Sequence, residues 1–365
     1  MSFITSHLKQ LKQSRRTFLI GAAAGLTAGT VPGFLPTPAR AAGDGPTMAW
    51  SYRNRSNPYW NAIASGGEAF VESLGMSRDD LVHLINEGSS EKSLADVVAL
   101  LAKTSGNLAL AIDANDGPNG RPVVESVAET GGFVCTIWNK TDDLHPWDFG
   151  DNYVAHASWS SVDPAAQAAR VVFDAMGGKG RVVGLGGIAS NPPAIERRQG
   201  MMDALEDYPD IELLDYQPAN WDTQKAAEVM ASFLTRFGEI DGVICASDTM
   251  AFGALEALRA EGLVGRTKVG GYDGTKQAVD LVLKGEMSTT VDTNPYWAGG
   301  ALLSLAWHAA TGAFKPSDEP RAHREFFGPS ILITEADAAE FKATYIDATP
   351  TYDWTDFWGP TTPAN

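Results

Sequence analysis

Cysteine and histidine are both scarce in this sequence. The 365 residues include two cysteines, Cys135 and Cys245, and six scattered histidines. Both cysteines end short apolar runs, GGFVC and GVIC, which are typical of buried strands, so we interpret them as small core residues rather than as a disulfide or a reactive thiol. The sequence contains no CxxC or HExxH motif. It therefore gives no support to metal chemistry, and we predict neither a metal site nor a cofactor.

Basic residues are also few. The chain has 28 lysines and arginines against 45 aspartates and glutamates, a formal net charge of −17. Residues 1–41 hold five of these basic residues and no acid, so the remainder has 23 basic and 45 acidic residues, a charge of −22. Such an acidic chain is a poor partner for nucleic acid or for anionic lipid, and we predict that it binds no nucleic acid.

The N-terminus has the pattern of an export signal. A basic stretch precedes a Gly- and Ala-rich apolar run, and Ala39-Arg40-Ala41 is the small-x-small pattern that signal peptidase accepts. Residues 14–19, SRRTFL, resemble the twin-arginine signal. The run from Phe18 to Val31 is interrupted by glycines and is shorter than the roughly 20 residues that span a bilayer. We therefore predict that residues 1–41 are a cleaved twin-arginine signal peptide and that the mature protein is periplasmic.

From Thr47 onwards, short apolar runs alternate with amphipathic stretches. The order is βαβαβαβ up to FVCTIW, and a second series of the same kind begins after Val154. This alternation predicts an α/β protein with two doubly wound parallel sheets. From Pro295 the pattern indicates one long helix, a polar stretch, the short strand SILIT and a further helix. The chain ends in YDWTDFWGPTTPAN, which we interpret as a tail packed over the surface.

The predicted strand ends carry a distinctive mixture of side chains. In open α/β sheets, ligands bind outside the carboxyl ends of the strands. At those ends planar aromatic residues alternate with Asp, Asn and Arg in both series, a mixture that suits a polyhydroxylated ligand because rings cover C–H faces while polar groups bond hydroxyls. Taken singly, each aromatic residue also fits a core position and each Asp fits a helix N-cap. The candidates are Tyr52, Arg53, Asn57, Tyr59, Trp60, Asp113, Asp116, Trp138 and Asn139 in the first series, and Arg197, Trp221, Asp222, Ser247, Asp248, Tyr272 and Asp273 in the second.

Five segments in order resemble the ribose- and galactose-binding class of periplasmic sugar-binding proteins, which serve ABC importers. They are NPYW at residues 57–60, ERRQGMMDAL, QPANWDTQKA, CASDTMAFGALEAL and VGGYDG, and the similarity extends from about residue 47 to residue 333. The resemblance implies the type I periplasmic binding protein fold, in which two α/β lobes joined by a three-strand hinge close on a monosaccharide or polyol. It also implies an ABC transporter permease as partner, a monomer, and no enzymatic step. The expected lobes are residues 46–157 with 294–328 and residues 158–293 with 329–345, followed by a tail at 346–365.

The resemblance also implies which residues contact the ligand. They are Asn57, Tyr59, Trp60, Asp113, Trp138 and Asn139 from the first lobe, Arg197, Trp221, Ser247 and Asp273 from the second with Tyr272 beside them, and Thr293 before the last hinge helix. This chain has Trp138-Asn139 where the ribose binder has an Asp-Arg pair, and Ser247 where that protein has an Asn. The identity of the sugar therefore stays open. An insertion after the fourth strand, KTDDLHPWDFGDN, fits either a rim of the cleft or a solvated loop.

Three other functions compete with this interpretation. Residues 184–189, GLGGIA, fit the dinucleotide fingerprint of an oxidoreductase, but Pro192 and Pro193 delay the helix that would meet the pyrophosphate. A transcription regulator with the same fold would carry a helix-turn-helix where this chain has a leader. A ligand-sensing partner of a membrane receptor remains compatible with the sequence.

The tetrapeptide NPYW occurs twice, at residues 57–60 and at residues 294–297. Asn followed by Pro is a favourable helix start, so both copies are explained locally, and their flanks share little else. We expect the first copy to face the ligand with Asn57, Tyr59 and Trp60. We expect Tyr296 and Trp297 of the second copy to pack near the hinge.

Overall fold

The structure is a computed structural model that describes residues 45–348 and 350–364. The predicted signal peptide, residues 1–41, lies outside the described residues. Within the described part of the chain, no helix has the length and apolar character needed to cross a membrane.

The first lobe is built on a seven-stranded sheet. Its strands are β1 (Thr47–Tyr52), β2 (Leu81–Ile85), β3 (Leu108–Asp113), β4 (Phe133–Ile137), β5 (Tyr153–Ser158), β11 (Glu325–Phe327) and β13 (Thr362–Pro363). They lie in the order β13-β11-β5-β4-β3-β1-β2, and every pair is parallel except β11 with β13. The helices of this lobe are α1 (Pro58–Ser73), α2 (Ser90–Thr104), α3 (Gly117–Thr130), α9 (Pro295–Ala310) and α10 (Arg321–Arg324).

The second lobe is built on a six-stranded sheet. Its strands are β6 (Lys179–Gly186), β7 (Asp210–Pro218), β8 (Gly242–Cys245), β9 (Lys268–Gly270), β10 (Thr289–Asp292) and β12 (Ile331–Thr334), in the order β12-β10-β9-β8-β6-β7. Only β10 with β12 is antiparallel. The helices are α4 (Val162–Ala175), α5 (Pro192–Leu205), α6 (Thr223–Phe237), α7 (Asp248–Ala260), α8 (Lys276–Leu283) and α11 (Glu335–Phe341). The predicted fold class, two α/β lobes with parallel sheets, is therefore confirmed.

Strand β3 lies between two layers of helices, which explains why its sequence is apolar up to its last residue, Asp113. All six of its residues are buried, because helices cover both faces of the sheet. Ala109 and Ala111 face the core that contains α1 and α9, while Leu110 and Ile112 face the core that contains α2 and α3. Small residues on one side and large ones on the other set how closely each helix layer approaches the sheet.

Helices α1 and α9, which begin with the two NPYW segments, pack directly against each other. A methyl group added at Gly66 of α1 would lie 1.8 Å from the carbonyl oxygen of Tyr296, and one added at Gly299 of α9 would lie 2.0 Å from the carbonyl oxygen of Ile63. Only glycine allows the two backbones to come this close. The two helices therefore form one unit beside the first sheet.

The chain passes between the lobes at the three places that the hinge prediction requires: from β5 to α4, from β10 to α9, and from β11 to β12. It also crosses a fourth time. After the π-helical turn Lys342–Ile346, which packs on α8 and α11 of the second lobe, the C-terminal segment returns to the first lobe. There the Trp354 ring lies on Gly300, and β13 forms the edge strand of the first sheet. The tail is thus an integral part of the first lobe.

Candidate ligand-binding site

The cavity between the lobes, called here the interlobe cavity, lies at the carboxyl ends of strands from both sheets. It encloses about 470 Å³ of space, including its open mouth. Ten of the twelve predicted site residues line it: Asn57, Tyr59, Trp60, Asp113, Trp138, Asn139, Arg197, Trp221, Ser247 and Asp273. The remaining lining residues are Arg53, Asn191, Pro193 and Thr249.

The first-lobe wall of the interlobe cavity is aromatic. The indole N–H of Trp138 donates to the hydroxyl of Tyr59 at 2.7 Å, and the Trp138 ring lies against Trp159 with centroids 4.6 Å apart. Trp60 stacks parallel to Tyr52 with centroids 6.4 Å apart. Because Trp138 and Tyr59 use their polar groups on each other, this part of the wall presents mainly ring faces.

A buried polar group stands beside this aromatic wall. Asp113 at the end of β3 accepts a hydrogen bond from the Asn139 amide at 2.7 Å and pairs with the Arg53 guanidinium at 3.5 Å. Burial raises the pKa of Asp113, and the Arg53 charge and the Asn139 hydrogen bond oppose that rise. The Oδ1 atom of Asn139 has no partner among the described residues. The charges of Arg53 and Asp113 therefore balance each other, and the Asn139 amide keeps one acceptor free.

The second-lobe wall is organised by Arg197 of α5. Its guanidinium carbon lies 3.6 Å from the ring centroid of Tyr272, and Nη1 donates to the Ala246 carbonyl at 2.6 Å and to the Asp273 carboxylate at 3.4 Å. Burial raises the pKa of Asp273, and the Arg197 charge opposes that rise. The Nε–H of Arg197 has no partner among the described residues. This wall therefore also balances its charges and keeps one donor free.

The indole of Trp221 lies against Gly187, directly after β6. A methyl group at Gly187 would lie 2.0 Å from this ring, and one at Gly184 would lie 2.1 Å from the ring of Tyr216. Helix α5 begins only at Pro192, several residues beyond these glycines. The glycines of GLGGIA thus make room for aromatic side chains of their own lobe.

Two predicted residues lie behind the cavity wall. Tyr272 is buried beneath the guanidinium of Arg197, and Thr293 is fully buried in the passage from β10 to α9. Neither side chain lines the interlobe cavity. The insertion at residues 140–152 also contributes no lining residue; it packs on the side of the first lobe, where its Leu144 is fully buried.

Four lining residues lie outside the ligand set that the resemblance implies, and of these only Arg53 is among the strand-end candidates. Arg53 follows β1 at a strand end, which is the position rule that identified its neighbours. Asn191 and Thr249 were readable only as helix-start residues, and Pro193 as a helix breaker. Their place on the cavity depends on how the lobes face each other.

The chemistry of the site follows from these contacts. Each wall pairs one arginine with one aspartate, so a charged ligand would bring a charge without a partner into a buried space, which is costly. Aromatic faces suit C–H surfaces, and the free donor and acceptor suit hydroxyl groups. The cavity therefore fits a small uncharged ligand with several hydroxyls.

Comparison with known proteins points to one family. A profile of the periplasmic binding protein domain matches residues 48–313. The D-allose-binding periplasmic protein of Escherichia coli (strain K12) is 30% identical over 282 residues, which cover 77% of this chain and 89% of that protein. The xylitol-binding protein of Mycolicibacterium smegmatis is 31% identical over 179 residues, covering 49% of this chain and 50% of that protein.

Solved structures agree with this assignment. A twin-arginine translocation pathway signal protein from Burkholderia phytofirmans is 43% identical, with a TM-score of 0.85, over 88% of this chain and 99% of that one. A periplasmic solute-binding protein of an ABC transporter from Actinobacillus succinogenes, with bound D-allose, shares the fold with a TM-score of 0.71 at 23% identity, over 81% of this chain and 99% of that one. With the profile spanning most of both lobes, the chain belongs to the family of proteins with the periplasmic binding protein domain.

Proposed function

We propose that this protein captures an uncharged monosaccharide or polyol in the interlobe cavity and delivers it to the membrane permease of an ABC transporter. The observation that carries the proposal is the charge balance of the two walls, Arg53 with Asp113 and Arg197 with Asp273, beside aromatic ring faces. The relatives named for D-allose and xylitol support it, since both compounds are uncharged and polyhydroxylated. The protein performs no chemical step on its ligand.

The cycle follows from the two-lobe architecture. The solute enters between separated lobes, and contacts to both walls favour the closed arrangement because they form together only when the lobes meet. The permease then separates the lobes and receives the solute. Closure is thus a population shift set by the ligand's preference for the closed state.

Export through the twin-arginine route is part of the same proposal. The SRRTFL segment and the Ala39-Arg40-Ala41 pattern support it. The related Burkholderia phytofirmans protein is named for that pathway. The protein would then act in the periplasm, as a monomer.

A thermal-shift screen of the mature protein tests the function. Bound ligand stabilises the folded state by mass action, by ~2.7 kcal/mol when the ligand concentration is 100 times the Kd. The melting temperature rises accordingly. The screen covers D-allose, D-ribose, xylitol, myo-inositol, several amino acids and NAD. We expect a shift with one or more of the uncharged sugars or polyols. A shift with only an amino acid or only NAD would overturn the proposal.

Two neighbouring arginines locate the site in the same screen. Arg197→Ala removes the buried guanidinium, and we expect it to weaken binding of the compound found by about 2–4 kcal/mol, because a buried hydrogen-bonding group is left unpaired. Arg198→Ala is the matched control, since Arg198 follows it on α5 with an exposed side chain. Equal affinity of the two variants would place the ligand elsewhere.

A further inference from the structure

One hydrogen bond joins the two lobes directly beside the interlobe cavity. The side-chain amide of Asn191 in the second lobe donates from Nδ2 to the backbone carbonyl of Asn115 in the first lobe, at 3.0 Å. Asn191 is almost fully buried, with 1% exposure, so water does not compete for this amide. The bond exists only while the lobes are closed.

The side chain of Asn191 makes this contact instead of capping its own helix. It is the N-cap residue of α5, where an asparagine side chain ordinarily accepts from a backbone N–H of the first turn. No such bond forms here. The Oδ1 atom instead accepts from the indole N–H of Trp221 at 2.9 Å. Both ends of the amide are therefore committed to tertiary contacts, one across the lobes and one to a ring of the cavity wall.

The first-lobe partner is held by residues of the opposite cavity wall. Arg53 donates from Nη2 to the same Asn115 carbonyl at 2.8 Å and pairs with Asp113 at 3.5 Å. Asn115 itself has a φ of 68° in the left-handed region, which turns its carbonyl away from the run of β3. The acceptor is thus positioned by two lining residues of the first lobe.

We propose that Asn191 is an interlobe latch that keeps the closed state populated before ligand arrives and couples the position of Trp221 to closure. The proposal rests on the proposed function, since a latch has a role only in a cleft that opens and closes. A ligand that stacks on Trp221 holds the indole in place, and the indole then holds the amide in the orientation that reaches Asn115. Binding and closure share one side chain.

Asn191→Asp tests the latch. The carboxylate keeps an acceptor for the Trp221 indole but has no N–H for Asn115, and it faces that carbonyl with negative charge. Spin labels on cysteines introduced at the exposed Glu91 and Gln224, one on each lobe, report the interlobe distance in the protein without ligand; Cys135 and Cys245 are buried and stay unlabelled. We expect the ratio of closed to open molecules to fall by about 3- to 10-fold, which is the range for the loss of one hydrogen bond.

Two further variants complete the test. Asn191→Ser keeps a capping side chain but is too short to reach both partners, so it should also shift the ratio if the aspartate variant fails to fold. Asn107→Asp changes an exposed asparagine directly before β3, at the end of the first sheet opposite the interlobe cavity; it applies the same charge change away from the lobe contact and should leave the ratio unchanged.

The outcomes separate the latch from the proposed function. A wild type that shows only the open distance, or folded Asn191 variants with the wild-type closed fraction, would overturn the latch even if a sugar binds. A shifted ratio in a protein that binds no sugar or polyol in the thermal screen would support the latch and overturn the proposed function.

Discussion

The two NPYW segments are identical in sequence and different in use. Both start a helix with asparagine as N-cap: the Asn57 side chain accepts from the Tyr59 amide, and the Asn294 side chain accepts from the Trp297 amide. Their backbones differ, since Asn57 is extended with φ at −75° while Asn294 is left-handed with φ at 49°. The left-handed residue turns the chain sharply as it passes from β10 into the first lobe.

The aromatic pairs that follow point to different surroundings. Tyr59 and Trp60 of the first segment line the interlobe cavity. Tyr296 of the second segment packs against Tyr352 and Trp354 of the C-terminal segment, and Trp297 is buried in the first-lobe core. One tetrapeptide thus supplies part of the cavity wall in one place and a structural anchor in the other. Each copy keeps the same local task and takes its second task from the residues that face it.

Truncation of Trp297 should produce the largest effect. Trp297→Ala removes a large side chain with 3% exposure from the first-lobe core, and such changes cost about 3–5 kcal/mol of unfolding free energy. Chemical denaturation measures this loss. We expect a much smaller change in the affinity of the folded variant for the compound found in the screen, because Trp297 does not line the cavity. A variant as stable as wild type would contradict the assignment to the core.

Truncation of Trp60 tests the other copy. Trp60→Ala removes a ring that lines the interlobe cavity and stacks on Tyr52, so we expect the affinity to fall at least tenfold, or ~1.4 kcal/mol. Calorimetry well below the melting temperature of both variants gives the comparison with Trp297→Ala. If the two folded variants lost affinity equally, the prediction that only the first NPYW segment contributes to ligand binding would be wrong.

The strand that leads into the second NPYW segment should contribute to the pH dependence of stability. This is the smallest of the expected effects. Asp292 lies two residues before Asn294, and burial raises its pKa to about 7. The folded protein therefore holds this proton up to about pH 7, while the unfolded chain releases it near pH 4. Stability contributed by this group is complete below about pH 4 and is lost as the pH rises towards 7.

The variant Asp292→Asn isolates that contribution. Its amide cannot titrate, so the fall in melting temperature between pH 5 and pH 7.5 should be smaller than in wild type. Asp248, whose pKa burial raises to about 6, acts with the same sign in both proteins and serves as the common background. An unchanged slope in the variant would show that Asp292 does not carry a proton in the folded state.

Much of the candidate site was predictable because strand ends are local features. Asp113 is the last residue of β3 and Asp273 lies three residues after β9, and the rule for open sheets places such residues at one edge. The sequence did not predict which residues these side chains contact. Asn191 carries the same signal as any N-cap asparagine, and its contacts to Asn115 and Trp221 join residues far apart in the chain. The aromatic C-terminal segment likewise showed no strand pattern, because its edge strand forms only against β11.

Three features follow from the amino-acid sequence alone: the alternation of strands and helices, the helix starts at both NPYW segments and the mixture of residues at the strand ends. These depend on periodicity, capping and backbone preference, which act within a few residues. The packed lobes are needed to show which NPYW segment faces the cavity, which arginines pair with which aspartates, and which asparagine joins the lobes. Those outcomes depend on contacts such as Trp138 with Tyr59, 79 residues apart, whose geometry exists only once both lobes are packed.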